Sequence, residues 1–213
     1  MRLVPMLLVA LALASGCGSA KEEPATTTTA DACESVDAPD ARDPGTREAP
    51  TETLTKGTTY SLVFETSCGS FTVELDQELA PNTAASLVAL AEDGYFDDTI
   101  FHRVVPDFVI QGGDPTQSGG GGPGYSTVDV PPADAAYTKG TVAMAKSELE
   151  PPGTSGSQFF VVTTEGAPLT PDYAIVGEVT EGMDTVERIA ALGVGDGAPS
   201  QPVVVNTITV TKS

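Results

Sequence analysis

The sequence predicts a mainly β protein, a closed antiparallel β-barrel with two helices capping it. Three observations carry that prediction. The 213 residues include 22 glycines and 17 prolines, so turns are frequent. Between the turns lie many short stretches that are apolar or alternate apolar with polar, each of strand length. Only two stretches carry the spacing of an amphipathic helix. Closing the sheet would also remove the unpaired edges that make open sheets adhesive.

Residues 1–16 stand apart from the fold. Arg2 supplies a positive start, and Leu3 to Ala14 is an apolar run interrupted by Pro5. This is the pattern of an export signal, and it is shorter than the ~20 residues that span a bilayer. Ala14-Ser15-Gly16-Cys17 then resembles the lipobox of bacterial lipoproteins. The resemblance implies cleavage before Cys17, lipidation of Cys17 and anchoring at the cell membrane outside the cytoplasm. An ordinary secretory signal, with Cys17 incidental and the protein secreted, is the second reading.

Residues 17–58 are rich in Thr, Ala, Pro and acid, with Thr26–Thr29 a run of four. Few of them are large and apolar, so they are expected to form a disordered tether. Cys33 lies in this tether and Cys68 in the region beyond it. With Cys17 lipidated, an even pair remains in an oxidising setting, and a Cys33–Cys68 disulfide is expected, with two free thiols as the alternative.

Residues 59–213 are the folded part. Tyr60–Thr66 and Ser70–Leu75 alternate around Thr66-Ser67-Cys68-Gly69, which reads as a β-hairpin. Pro81 opens a helix that runs to about Asp93, with Leu87, Val88 and Leu90 inward and Gly94 at its end. Ile100 to Gln111 is a β-rich run, and residues 112–126 are a glycine-rich loop. Val142–Met144, Phe159–Thr163 and Ala174–Val179 read as further strands. Met183–Leu192 is a second short helix with Val186, Ile189 and Ala190 on one face, and Val203–Val210 is a last strand.

Charge narrows the function. Ten Lys and Arg oppose 30 Asp and Glu, a formal net charge of −20. Phosphate binding needs clustered cations, so nucleic acid is excluded as a partner, as is attraction to an anionic lipid surface. Membrane contact is expected only through the N-terminal lipid. One histidine and three cysteines leave no metal site, and no cofactor is expected. Gly119–Gly124 is not a phosphate loop, since no Gly-Lys-Ser/Thr follows it, and no Gly-x-Ser-x-Gly elbow supports a hydrolase.

The segment Phe101-His-Arg-Val-Val-Pro-Asp-Phe-Val-Ile-Gln-Gly-Gly-Asp114 resembles the core signature of the cyclophilins, a family of peptidyl-prolyl cis-trans isomerases. The resemblance continues in order through Gly140–Ala145, Gly156-Ser-Gln-Phe-Phe-Val-Val-Thr163, Leu169, Tyr173–Gly177 and Glu181–Asp184. It implies an eight-stranded cyclophilin-like barrel acting, as a monomer, on proline-containing polypeptides. Residue by residue it makes Arg103 the catalytic arginine. Phe108, Val109, Phe160 and Leu169 would line a pocket for the proline ring. Gln111, Gln158 and the Ala145 backbone would hold the substrate main chain, and Tyr173 would cap the pocket. Lys146 and the acidic segment Ser147–Ser155 depart from the family pattern.

These residue types suit the reaction. A peptide bond resists rotation by about 18–20 kcal/mol because nitrogen shares its lone pair with the carbonyl. A catalyst must favour the twisted amide over both planar forms. A guanidinium stays charged and can donate towards the twisted bond, while an apolar pocket holds the ring. Three competing readings remain open on sequence alone. Arg103 suits a surface ion pair in so acidic a chain. Phe108 and Phe160 suit the core. The fold also suits a proline-segment binding module without turnover. His102 is expected to be a hydrogen-bonded structural histidine, since isomerisation needs no proton shuttle.

Overall fold

The computed structural model describes residues 32–213. The strands are β1 (Tyr60–Thr66), β2 (Gly69–Leu75), β3 (Thr99–Ile100), β4 (Arg103–Val105), β5 (Val109–Gly112), β6 (Thr127–Val128), β7 (Thr141–Met144), β8 (Thr154–Ser155), β9 (Phe159–Val162), β10 (Ile175–Glu181) and β11 (Val204–Lys212). The helices are α1 (Pro81–Glu92) and α2 (Met183–Ala190). Nine strands form one curled antiparallel sheet in the order β3-β11-β1-β2-β10-β7-β9-β5-β4, and β6 pairs with β8 alone.

The architecture is the expected mainly β fold with two helices, but the sheet has nine strands instead of eight and makes a half-barrel. Its end strands β3 and β4 have two and three residues, too few to form a ladder that would seal the seam. The chain bridges it instead. Phe101 N–H donates to the Val203 carbonyl at 3.0 Å and Val104 N–H to that of Gly197 at 2.8 Å. The single β-rich run expected over 100–111 is three strands. Its second break is the tight turn Pro106-Asp107, where Pro presets φ and Asp107 sits at φ +55.

Inside the curl, Phe64 and Phe71 of the first hairpin stack with ring centroids 4.4 Å apart. Phe159 meets Phe64 edge-on at 5.3 Å. Helix α1 buries Leu87, Val88 and Leu90 against this core, as its spacing predicts. Its first turn has no local side-chain cap. The Asp129 carboxylate reaches it from 47 residues away, accepting from Thr83 N–H at 2.7 Å and Asn82 Nδ2 at 2.8 Å, so the helix is capped by tertiary structure.

Residues 17–58, expected to be a disordered tether, depart from that expectation over the part described. The export signal, Cys17 and the residues up to 31 lie outside the described residues. From Cys33 to residue 58, however, the chain lies along the domain. Cys33 and Cys68 form a disulfide. Glu34 N–H donates to the Ser67 carbonyl at 2.7 Å, and Leu54 packs against the core. Composition predicts disorder because it counts apolar area; it is blind to a covalent tie and to cations that bond to carbonyls elsewhere in the fold.

Candidate active site

The sheet register assembles the site. Arg103 on β4 stands opposite Gln111 on β5, Gln111 opposite Phe160 on β9, and Phe160 opposite Ala143 on β7. Alternate residues of a strand face opposite ways. Val104, Ile110, Val142 and Val161 therefore join the main core. Val109, Ala143, Phe160 and Val162 gather on the other face with Tyr137. Phe108, Ala145, Leu169 and Tyr173 pack around that second cluster, partly buried. Phe160 is thus a core residue of a small outer cluster and, at the same time, the floor of a pocket.

That pocket is a cavity of about 190 Å³ lined by Arg103, Phe108, Val109, Gln111, Ala145, Lys146, Phe160, Leu169 and Tyr173. The Tyr173 ring meets Phe160 edge-on, with centroids 5.6 Å apart. A larger cavity of about 350 Å³ adjoins it across Gln111, Ala145 and Lys146, walled by Gly119–Gly122, Glu150 and Gln158. Arg103 and seven of the eight sequence-predicted substrate residues line the smaller cavity, and the eighth, Gln158, lines the larger.

A line of hydrogen bonds links the two cavities. Arg103 Nη1 donates to Gln111 Oε1 at 3.2 Å. Gln111 Nε2 donates to Gln158 Oε1 at 3.1 Å, and Gln158 Nε2 donates to the carbonyls of Gly119 and Gly121 at 2.9 and 3.0 Å. Asp114, with no exposed surface, ties that glycine loop. Its carboxylate accepts from the N–H groups of Thr116, Gly119 and Gly121 at 2.8, 2.8 and 3.0 Å, and from the Thr116 hydroxyl. Burial pushes the Asp114 pKa up, but these donors outweigh it and hold the carboxyl below its ordinary value. Position 121 must be glycine, because a Cβ there would fall on the Asp114 carboxylate.

Asp196 is the site residue that sequence reading missed. Its carboxylate forks onto Arg103, taking Nε at 2.5 Å and Nη2 at 3.2 Å. The Arg103 hydrogen bond holds the Asp196 carboxyl below the usual carboxylate range. Of the five guanidinium N–H groups, Asp196 takes two and Gln111 one, leaving two without a protein acceptor. Asp196 lies 93 residues away in a loop of glycines, and nothing in its local sequence marks it.

Two expectations change. His102 is buried as expected of a structural histidine, but neither ring nitrogen meets a partner in good hydrogen-bond geometry, the Gln158 side chain being the polar group beside it. Burial lowers its pKa, and Arg103 adds to this, against the pull of Asp114 and of the Gln158 side chain. The Ala145 N–H is already donated to the Gln158 carbonyl at 2.9 Å, so only the carbonyl side of Ala145 is left for a substrate. Among the described residues no group of His, Cys, Asp and Glu is placed to hold a metal ion, and no helix is long and apolar enough to cross a membrane.

Comparison with known proteins points the same way. Residues 61–210 match the family model described as cyclophilin type peptidyl-prolyl cis-trans isomerase/CLD. A peptidyl-prolyl cis-trans isomerase-like 1 of Aspergillus oryzae is 42% identical over 132 residues, 60% of this chain and 80% of that protein. The isomerase ppi1 of Schizosaccharomyces pombe is 39% identical over 136 residues, 62% of this chain and 86% of that one. Among solved structures, a cyclophilin type peptidyl-prolyl cis-trans isomerase of Cryptosporidium parvum superposes with a TM-score of 0.66 at 28% identity. It covers 73% of this chain and 99% of its own. The same Cryptosporidium protein has been crystallised in the presence of the dipeptide Ala-Pro, with the same score. With Arg103, Gln111 and Phe160 in one row across the sheet beside a cavity that the same side chains line, and a family model matched over residues 61–210, the chain belongs to the cyclophilin-type peptidyl-prolyl cis-trans isomerases.

Proposed function

We propose that the chain isomerises X–Pro bonds in exported polypeptides, outside the cytoplasm, held at the membrane by a lipid on Cys17. The observation that carries the catalytic part is the placing of Arg103, which lines the smaller cavity and keeps two N–H donors beyond those given to Asp196 and Gln111. The proline ring sits on Phe160 between Val109 and Leu169, and Gln111 and Gln158 hold the main chain. A twisted amide has a pyramidal, more basic nitrogen, and Arg103 donates towards it more strongly than towards either planar form. No bond is broken, so no nucleophile, base or cofactor is needed. Export is supported by the Cys33–Cys68 disulfide, a bond at home in an oxidising compartment. Lipidation is supported by the Ala14–Cys17 sequence alone.

The test is a peptide isomerisation assay on Arg103→Ala. By analogy with loss of one preorganised donor, turnover should fall by roughly 10²–10³. Near-wild-type activity would refute the role of Arg103. Mass spectrometry of the mature N-terminus tests the anchor: an acylated Cys17 is expected, and an unmodified cysteine, or cleavage elsewhere, would refute it.

A further inference from the structure

Residues 33–58 precede the region that the family model matches, yet they run along the wall of the substrate site. Arg42 N–H donates to the Pro115 carbonyl at 3.0 Å, and Arg47 N–H to the Pro123 carbonyl at 2.9 Å. Gln117 Nε2 donates back to the Pro39 carbonyl at 2.8 Å. These bonds fall at the two feet of the glycine loop whose carbonyls, at Gly119 and Gly121, orient Gln158.

The two arginines grip the domain on their other side. The Arg42 guanidinium donates to the carbonyls of Tyr95 and Asp97 at 2.5 and 2.9 Å. Arg47 pairs with Asp93 at 2.7 Å and lies 4.5 Å over the Tyr95 ring. Ser157 Oγ, next to Gln158, donates to the Tyr95 hydroxyl at 3.2 Å. Two routes therefore lead from this segment to Gln158, one through the loop and one through Tyr95. The disulfide pins the far end.

We propose that residues 33–58 are a strap that forms a working part of the substrate site. Arg42 and Arg47 are positioning residues: their guanidiniums anchor the strap on Tyr95, Asp97 and Asp93, and the anchored strap backbone holds the glycine loop, and through it Gln158, ready for a peptide main chain that extends beyond the proline pocket. The inference rests on the isomerase reading and adds a specificity determinant to it: the strap favours extended polypeptide over short Xaa-Pro units. A short unit needs only Arg103 and the smaller cavity, whereas a longer one must also engage the cavity that the loop walls.

The experiment compares purified whole chain with Arg42→Ala/Arg47→Ala and with Cys33→Ala, on an Xaa-Pro dipeptide amide and on a peptide four residues longer. Turnover is read by NMR exchange. The ratio of kcat/KM for the long peptide over the short should fall roughly five- to tenfold in both variants, mainly through KM. Hydrogen exchange at the Gly119 and Gly121 amides should quicken with it. A general loss of folding would lower both substrates together. An unchanged ratio, or equal losses on both peptides, overturns the strap proposal while leaving the isomerase reading intact. Full activity of Arg103→Ala on both peptides overturns the reading on which the proposal rests.

Discussion

Replacing Asp114 with Asn gives a sharp test of how the glycine loop is held. The carboxylate has no exposed surface and accepts three backbone N–H bonds and one hydroxyl. An amide keeps one oxygen and turns an NH₂ towards the other donors. If it replaces Oδ2, the N–H groups of Gly119 and Gly121 both lose their acceptor; if it replaces Oδ1, that of Thr116 does. A buried donor left without a partner costs about 1–3 kcal/mol, so the expected loss is about 2–4 kcal/mol. In a domain of this size that lowers the melting temperature by roughly 5–15 °C. The pH dependence adds a second check. Because the folded-state pKa of Asp114 is depressed, its contribution is present above the unfolded value, ~3.9, and disappears as pH falls through the folded value. The gap between wild type and Asp114→Asn should therefore be full at neutral pH and close in strong acid. A melting difference under about 2 °C at pH 7, or one that persists undiminished in acid, would refute the knot assigned to Asp114.

Other outcomes follow from the same geometry. Asp196→Ala should lower kcat/KM about two- to fivefold, the modest scale of an exposed pair, with no further loss when made on top of Arg103→Ala; an equal loss in both backgrounds would place its action elsewhere. His102 is buried with a lowered pKa, so the unfolded chain takes up the proton first. Thermal stability should be full above ~6.5 and decline as pH falls below it, and His102→Phe should flatten that slope; an identical slope would acquit His102. The acidic balance of the chain also favours substrates with basic residues near proline. A peptide series at low salt should show that preference, and a flat series would end the idea.

Much of this was legible in the sequence for a physical reason. Strand pairs with period-two patterning, a helix begun by proline and ended by glycine, and a fourteen-residue signature are local features, and local features can be read from one chain. Arg103, Gln111 and Phe160 were identified from their motifs and fall in one row because the register of β4, β5 and β9 puts them there. What was missed is non-local. Asp196 meets Arg103 across 93 residues, and Asp129 caps α1 across 46 and 47. The strap of residues 33–58 falls in the stretch 17–58 whose composition predicts disorder, because it lacks a core of its own. It borrows one, through a disulfide, Leu54 and two arginines that find carbonyls and a ring elsewhere in the fold.

Sequence alone offers two readings of Arg103, a surface ion-pair arginine or a catalytic one, and its ion pair with Asp196 does not exclude the second, since the same side chain lines the smaller cavity. Residues 60–213 hold five bases, and four of them are in ion pairs: Arg103 with Asp196, Lys139 with Glu187, Arg188 with Asp184 and Lys212 with Glu92. Within residues 60–213, pairing cannot mark function, because four of the five bases are paired. What separates them is where the rest of each cation is directed. Arg188 gives one further N–H to the Cys68 carbonyl and one to the Thr185 hydroxyl beside its own helix, and it lines neither cavity. Lys139 and Lys212 meet glutamates that are half exposed to solvent. Arg103 keeps one side on Asp196 and turns the other to Gln111 and an apolar cavity. An ion pair on one edge fixes the plane of the guanidinium, and that fixed plane is what a donor needs if it is to meet a rotating amide without first having to be oriented.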